Sequence, residues 1–459
     1  MQIKSSGSLS IDPYPRESYA WYVIAILFVV TVLSQLDRQL PTLLVGPIRA
    51  EFGISDTAFS FLQGYAFAIV YTLAGIPLGR LVDRTHRRNL IFCGLLFWSA
   101  MTVFSGFAET YRQLFIARMG IGVGEAVLAP AAYSMIADYV RPERRGRALA
   151  VYYMSIGIGS GASLLIGGLI LHALPPSGLA APIVGQMDSW RWMFVFAGAP
   201  GILVAGLLFT VKEPKRLGVI DAVGAAAQPS VVDVVAYLKN NVATFSRILV
   251  YPAVLAVIGY GSLAWAPALL QRRFSMPTSE SGVILGLLIA ICGTIGTLIS
   301  GWLSDHWHRH NIPAARFRVT LVGQAVLLPT VALWPMMPGP YAASITLGIA
   351  VVGLAIAQTA APPAIQEIVP NRMRGQVIAV YLLIGGLLGI GLGPTLVALI
   401  TDRVFADDSM LHWSLTLTAV PMSLLGLWVC WSGQKPYAQT KAKLMENQGT
   451  RLESVRKIQ

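Results

Sequence analysis

The sequence predicts an all-α polytopic membrane protein, with twelve transmembrane helices in two six-helix halves. Three observations predict it. The 459-residue chain is 55% hydrophobic and only 12% charged, with mean hydropathy +0.63; a soluble protein carries roughly 25% charged residues. Its apolar runs are each long enough to cross a hydrocarbon core of about 30 Å, which takes roughly 20 residues. They are continuous rather than alternating, which excludes a β-barrel. Finally, the chain repeats itself. Val140-Arg141-Pro142-Glu143-Arg144-Arg145-Gly146 lies over Val369-Pro370-Asn371-Arg372-Met373-Arg374-Gly375 at an offset of 229 residues. The register continues from Ala150-Val151-Tyr152 onto Ala379-Val380-Tyr381, and it places Asp138 on Glu367.

Taken in order, the first half has apolar spans over residues 19–45, 58–78, 89–108, 112–137, 148–174 and 190–211. Between the second and third spans lies Gly79-Arg80-Leu81-Val82-Asp83-Arg84-Thr85-His86-Arg87-Arg88. Each charge costs about 2.5–3.5 kcal/mol at the centre of a bilayer, so this cluster is expected to be a loop at a membrane surface. The basic loop 138–147 separates the fourth and fifth spans, and a Pro/Gly-rich loop, 175–189, precedes the sixth. The second half repeats the plan with spans over 247–270, 281–303, 317–336, 341–366, 375–401 and 412–431. A weaker copy of the charged loop, Gly301-Trp302-Leu303-Ser304-Asp305-His306, follows its second span.

The domain reading follows: 1–211 as an N-terminal six-helix bundle, 212–246 as a linker, 247–433 as the C-terminal bundle and 434–459 as a polar tail, expected to be solvated. Residues 231–238 of the linker are apolar enough for a short surface helix. The N-terminal tail lacks a small-residue cleavage site after the first run, which is therefore read as a retained span.

Charge fixes an orientation. The formal net charge is +12, but Lys and Arg concentrate in the loops after the even-numbered spans and in both tails. The opposite loops hold only Arg49, Arg112, Arg191, Arg272, Arg273 and Arg403. Both termini are therefore expected to be cytoplasmic. Basic charge in short loops is topogenic and argues against a nucleic-acid partner. Short outer loops and the lack of a glycosylation sequon point to a bacterial plasma membrane.

The three cysteines, Cys93, Cys292 and Cys430, lie far apart inside apolar runs, so neither a disulfide framework nor a metal site is expected. His306, His308 and His310 alternate in a loop without Cys and read as plain loop cations. His172 and His412 fall near the outer face. The strings Gly120-x-Gly122-x-Gly124, Gly157-x-Gly159-x-Gly161 and Gly389-x-Gly391-x-Gly393 follow no strand; they read as small residues that let membrane helices approach. A phosphate-binding Gly-Lys-Ser/Thr loop is absent, and no nucleophile–base pair is present, so neither an ATP-driven pump nor an enzyme is expected, and no cofactor is implied.

Charges inside spans carry the functional signal. Asp37 and Arg38 interrupt the first span; Arg118 and Glu125 lie seven apart in the fourth, on one helix face. Intramembrane acids are functional candidates by default. The second half has no matching set: its inward candidates are the neutral Gln324, Gln358, Tyr260 and Tyr381.

The charged loop after the second span, in two six-helix halves, resembles the major facilitator superfamily over nearly the whole chain. His86 stands where the family loop usually has Gly, and His306 where the second copy usually has Arg. The resemblance implies alternating access around one central site lined by the first and fourth spans, which would gather Asp37, Arg38, Arg118 and Glu125 around one aqueous pocket. It also implies a gate. Asp83 would face the start of the eleventh span near Gly375, and Arg84 would pair with Asp138. Gly79, Arg88, Arg145 and Asp305 complete the gating set. The family's antiporter motif has a Gly-Pro core, but Ala162 follows Gly161 here, so antiport is not supported.

Asp37-Arg38, Gly124-Glu125-Ala126 with Pro130, Ile136-Ala137-Asp138-Tyr139 and Trp190-Arg191-Trp192 narrow the resemblance to Spinster-like lipid and sphingolipid transporters. The anion:cation symporters of organic acids share a similar pattern and stay as the alternative; a channel would not explain the gate-like loops. The expectation is a monomeric secondary active transporter in the bilayer. Protons would be carried by Asp37 and Glu125. An anionic or amphipathic substrate would be held by Arg38 and Arg118, with Tyr152, Gln358 and Tyr381.

Overall fold

The computed structural model describes residues 14–456 apart from 176, 182–184, 217–229 and 311. The N-terminal tail up to residue 13 and the middle of the linker lie outside the described residues. Among those described, twelve helices are long and apolar enough to cross a membrane. Spans 1 to 6 are Glu17–Leu43, Asp56–Arg84, Arg87–Gly106, Tyr111–Tyr139, Pro142–Ala173 and Ser189–Thr210. Spans 7 to 12 are Val242–Phe274, Thr278–Arg309, Ala315–Met336, Pro340–Ile368, Arg374–Phe405 and Asp408–Glu446. The face where span 1 starts and span 12 ends is called the terminal face here; the other is the far face.

Local chemistry sets the helix starts. Ser55 accepts from the Ala58 N–H at 3.2 Å and opens span 2. Thr110 accepts from Gln113 and opens span 4, while Pro142 and Pro340 sit in first turns, where no N–H is needed. The linker helix, Val231–Asn240, begins with a reciprocal Ser230–Asp233 capping box. The Pro/Gly-rich loop between spans 5 and 6 contains a two-stranded hairpin, Leu179–Ala181 with Gly185–Met187.

Several helices outrun their apolar segments. Span 2 continues through Gly79 to Arg84, so most of the expected surface loop is helix; only Thr85 and His86 are extended. Span 8 likewise runs to Arg309. The polar tail is not free either, because the last helix continues from Leu411 to Arg456. Hydropathy ends where lipid ends, but the backbone hydrogen-bond ladder does not. Lys and Arg in a last turn also complement the helix dipole.

The repeat is visible in the bonds. Arg145 Nε donates to the Val140 carbonyl at 2.9 Å, and Arg374 Nε donates to the Val369 carbonyl at 3.1 Å. Arg87 bonds Asp138 at the end of span 4, while Arg316, 229 residues on, lies 3.3 Å from Glu367 at the end of span 10. The expected Arg84–Asp138 pair is thus made by Arg87. Because span 2 stays helical to Arg84, that side chain is left exposed. Arg87, at the start of span 3, turns under the bundle. It is fully buried and also donates to Glu213 (2.7 Å), Ser134 (2.8 Å) and the Pro214 carbonyl (2.9 Å). Arg88 is tied to the end of span 6 and the start of the linker, its Nη1 on the Val211 carbonyl at 3.3 Å and its N–H on Glu213 at 2.9 Å.

Removing Arg87 would leave two carboxylates facing each other. Arg87→Ala is expected to cost about 3–5 kcal/mol, read as a drop of several degrees in the thermal unfolding midpoint in detergent. Arg316→Ala should cost less, since Glu367 keeps Lys441 at 2.8 Å and the Tyr437 hydroxyl at 2.9 Å. Equal losses would show that the Arg87 cluster is not the tighter one.

The two halves meet mainly through spans 5 and 8 and spans 2 and 11. The seam is closed at the far face. A Cβ on Gly286 would lie 2.4 Å from the Leu165 nitrogen, and one on Gly168 would lie 2.5 Å from the Ser279 carbonyl. Spans 2 and 11 touch through two π-helical turns, Phe61–Tyr65 and Leu388–Leu392, where a Cβ on Gly64 would lie 2.5 Å from the Ile390 carbonyl. Toward the terminal face the same four helices part. A Cβ on Gly79, Gly157, Gly293, Gly301 or Gly375 would meet no atom within 4 Å. The cleft therefore opens toward the terminal face.

Candidate functional site

Span 1 brings Ser34, Asp37 and Arg38 onto one turn facing span 4, which contributes Arg118 and Glu125 before it breaks at Ala126. The four charges do assemble, and the two arginines take different kinds of partner. Arg38 reaches across to Glu125: its Nε and Nη2 lie 2.7 and 2.6 Å from the same oxygen, Oε2. The Ser34 hydroxyl donates to that oxygen at 2.6 Å. Arg118 does not pair with a carboxylate; its Nη1 donates to the backbone carbonyl of Asp37 at 2.9 Å. Asp37 Oδ1, Glu125 Oε1 and Arg118 Nε are buried without a hydrogen-bond partner. Thr102 of span 3 is the polar neighbour of the Asp37 carboxyl.

Burial divides the set. Asp37, Arg118 and Glu125 are 2%, 1% and 1% exposed, whereas the Arg38 side chain keeps 26% of its surface open. The expected aqueous pocket around all four is corrected accordingly. Three charges are sealed between spans 1, 3 and 4, and one guanidinium looks out of the wall. Arg38 also lies over two rings of span 2, 4.5 Å from Phe67 and 5.0 Å from Tyr71, which stack on each other. Its weakly hydrated plane makes it the side chain able to hold a charge there. Tyr260 of span 7 approaches Arg38 from the other half and is itself exposed.

The neutral candidates separate as well. Gln358 is exposed on span 10. Tyr152 and Tyr381 are 2% and 5% exposed and pack inside their own halves, Tyr152 edge-on against Tyr133. Gln324 is buried and donates to Ser423 at 2.7 Å, tying span 9 to span 12. These three do not reach the cleft in this state. Ser34, Phe67, Tyr71 and Thr102 were not anticipated. Ser34 stands three and four residues before Asp37 and Arg38, and that spacing was the signal available for it.

The gating residues lie at the terminal face, unlatched. Asp83 and Asp305 are exposed, and Gly375 is bare of neighbours. Arg145 reaches the Tyr14 hydroxyl at 3.3 Å, within its own half. His308 lies 3.9 Å from Glu367 and the His306 and His310 rings are 4.4 Å apart; no metal-ligand geometry forms around them among the described residues.

The sequence profile of the Major Facilitator Superfamily matches residues 27–394. The chain belongs to that superfamily. It is a multi-pass membrane transporter of small molecules, not an enzyme. An MFS-type efflux pump of Mycolicibacterium smegmatis is 30% identical over 91% of this chain and 93% of its own length. A probable L-galactonate transporter of Escherichia coli is 27% identical over 61% of this chain and 60% of its own. A sphingosine-1-phosphate transporter of Danio rerio is also 27% identical, over 60% of this chain and 54% of its own. Among solved structures, an inward-facing, unoccupied bacterial homologue of the human lysosomal transporter Spinster superposes with a TM-score of 0.76 at 26% identity, covering 94% of this chain and 99% of that one. The Spinster-like resemblance is thus carried by sequence and by structure.

Proposed function

We propose that this facilitator couples substrate movement to protons through Asp37 and Glu125, and that its substrate is an anion or an anionic amphiphile met by Arg38. The observation that carries the reading is the asymmetric wall between spans 1 and 4: two sealed carboxyls behind one accessible guanidinium. When Glu125 takes a proton, Arg38 loses its carboxylate partner and turns its charge to the cleft. When Glu125 is ionised, the two satisfy each other and the substrate is released. Proton and anion thereby bind together, which is the requirement for symport.

The terminal face is read as cytoplasmic from its Lys and Arg, in the inner membrane of a bacterium. The halves 1–211 and 247–433 rock as units about the central site, with 212–246 as linker and 434–459 as cytoplasmic extension, and one monomer suffices. The state seen here is then inward-open. Asp83 is the acid that latches the cytoplasmic side when it closes, where the dipole at the start of span 11, near Gly375, favours an anion.

An amphiphile with a phosphate headgroup is favoured by the Spinster likeness. A second reading, a small carboxylate, is supported by the galactonate relative. Proteoliposomes with the purified protein test both. Uptake should saturate and should accumulate against a gradient when a pH difference is imposed without ATP. Lysophospholipid and sugar-acid substrates compete in parallel assays. Accumulation that ignores the pH difference would remove proton coupling.

A further inference from the structure

Spans 2 and 11 face each other across the seam and run in opposite directions. Span 2 starts at the far face with Asp56 and ends at the terminal face beside Asp83; span 11 starts at the terminal face with Arg374 and ends at the far face beside Asp402. The start of span 2 is not capped only by its own half. Asp402 Oδ2 accepts the backbone N–H of Thr57, in the first turn of span 2, at 2.7 Å. Below it the Ser60 and Thr395 hydroxyls meet at 3.1 Å. First-turn N–H groups have no partner within their helix, and the dipole there favours a carboxylate.

An ion-pair clamp surrounds this contact. Asp56 is fully buried and takes Arg272 from both sides, Nη1 at 2.7 Å and Nη2 at 2.6 Å. Arg49 lies 3.0 Å from Asp56 and 2.6 Å from Asp408. Thr57–Asp402, Asp56–Arg272 and Arg49–Asp408 each join the first half to the second.

We propose that spans 2 and 11 exchange caps during transport. In the state seen here, the acid at the end of span 11 caps the start of span 2 at the far face. In the alternate state, the acid at the end of span 2, Asp83, caps the start of span 11 at Gly375, and the Asp402 contact is broken. This second step rests on the gate reading given above. The two helices are antiparallel and belong to different halves. Rocking that closes one end must therefore open the other, and the two caps cannot coexist. Arg49 and Arg272 reinforce only the far-face cap.

Paired spin labels test the exchange without substrate or gradient, so its outcome is independent of proton coupling. One pair, at Glu109 and Pro277, spans the far face. The other, at His86 and Arg309, spans the terminal face. Both are placed in a background lacking the three native cysteines. Asp402→Ala is expected to raise the far-face-open population by up to roughly thirtyfold and to shorten the His86–Arg309 distance. Asp83→Ala shifts both distributions the other way. The double variant returns toward the parent, because each state has lost one cap. Asp402→Asn keeps an acceptor but no charge, and it should move the populations in the same direction by less. Should the Ala variant not fold, the Asn variant carries the test. Unchanged distributions in the Asp402 variants overturn the proposal and leave any Asp83 effect as a latch on one face only. An inert Asp83→Ala beside an active Asp402→Ala overturns the exchange together with the gate reading, leaving a far-face latch alone.

Discussion

Glu125→Gln is expected to abolish uphill accumulation while leaving the fold and substrate exchange intact. With one proton moved per substrate, a gradient of one pH unit supports about a tenfold accumulation; the variant should equilibrate and no more. The reason lies in the geometry. Glu125 Oε2 holds three donors, from Ser34 and Arg38, in a site that is 1% exposed. Glutamine keeps the size and an acceptor oxygen, but it cannot lose or gain a proton. Arg38 is then permanently without an anionic partner, and substrate should bind without waiting for a proton. Counterflow at equal pH should therefore persist. Asp37→Asn separates the two acids: among the described residues Asp37 makes no ion pair, and the Arg118 contact is to its backbone, so the variant should lose coupling without disturbing Arg38. Proteoliposome uptake under an imposed gradient, compared with exchange at equal pH, checks both. A Glu125→Gln protein that still concentrates substrate would show that this carboxyl is not the coupling carrier.

Arg38→Lys is expected to weaken substrate binding by about ten- to a hundredfold although the charge is retained. The guanidinium is held by Glu125 at one edge and by the Phe67 and Tyr71 rings across its face. A planar fork meets a carboxylate or phosphate with two parallel bonds and stacks on rings; an ammonium does neither as well and is more strongly hydrated. Arg118→Lys, by contrast, should act mainly on stability. Arg118 is sealed and bonds a backbone carbonyl of span 1, so its loss loosens spans 1 and 4 and leaves the cleft wall in place. Binding measured by thermal shift or by displacement of a labelled substrate distinguishes them. Equal affinity of Arg38→Lys and parent would remove Arg38 from the headgroup site. A larger binding loss in Arg118→Lys would restore the role first expected of it.

By itself the sequence determined the twelve spans, the internal repeat and the half that holds the charges. Hydrocarbon forces these into composition: a span must be apolar for about twenty residues, a charge inside it is costly enough to be conspicuous, and a duplicated bundle keeps its loop motif in register. Those constraints act on each segment separately and are legible one segment at a time. Partner choice is not of that kind. Arg87 rather than Arg84 meets Asp138 because span 2 stays helical past its apolar stretch. Arg38 rather than Arg118 takes Glu125 because of how spans 1 and 4 are rotated against each other. Tyr152 and Tyr381 look like cleft residues in sequence and are core residues in space. In a membrane the lipid-facing and core-facing sides of a helix are both apolar, so periodicity carries little information about rotation. The far-face cap of Asp402 on Thr57 joins residues 345 positions apart, and only the packing of one half against the other brings them together.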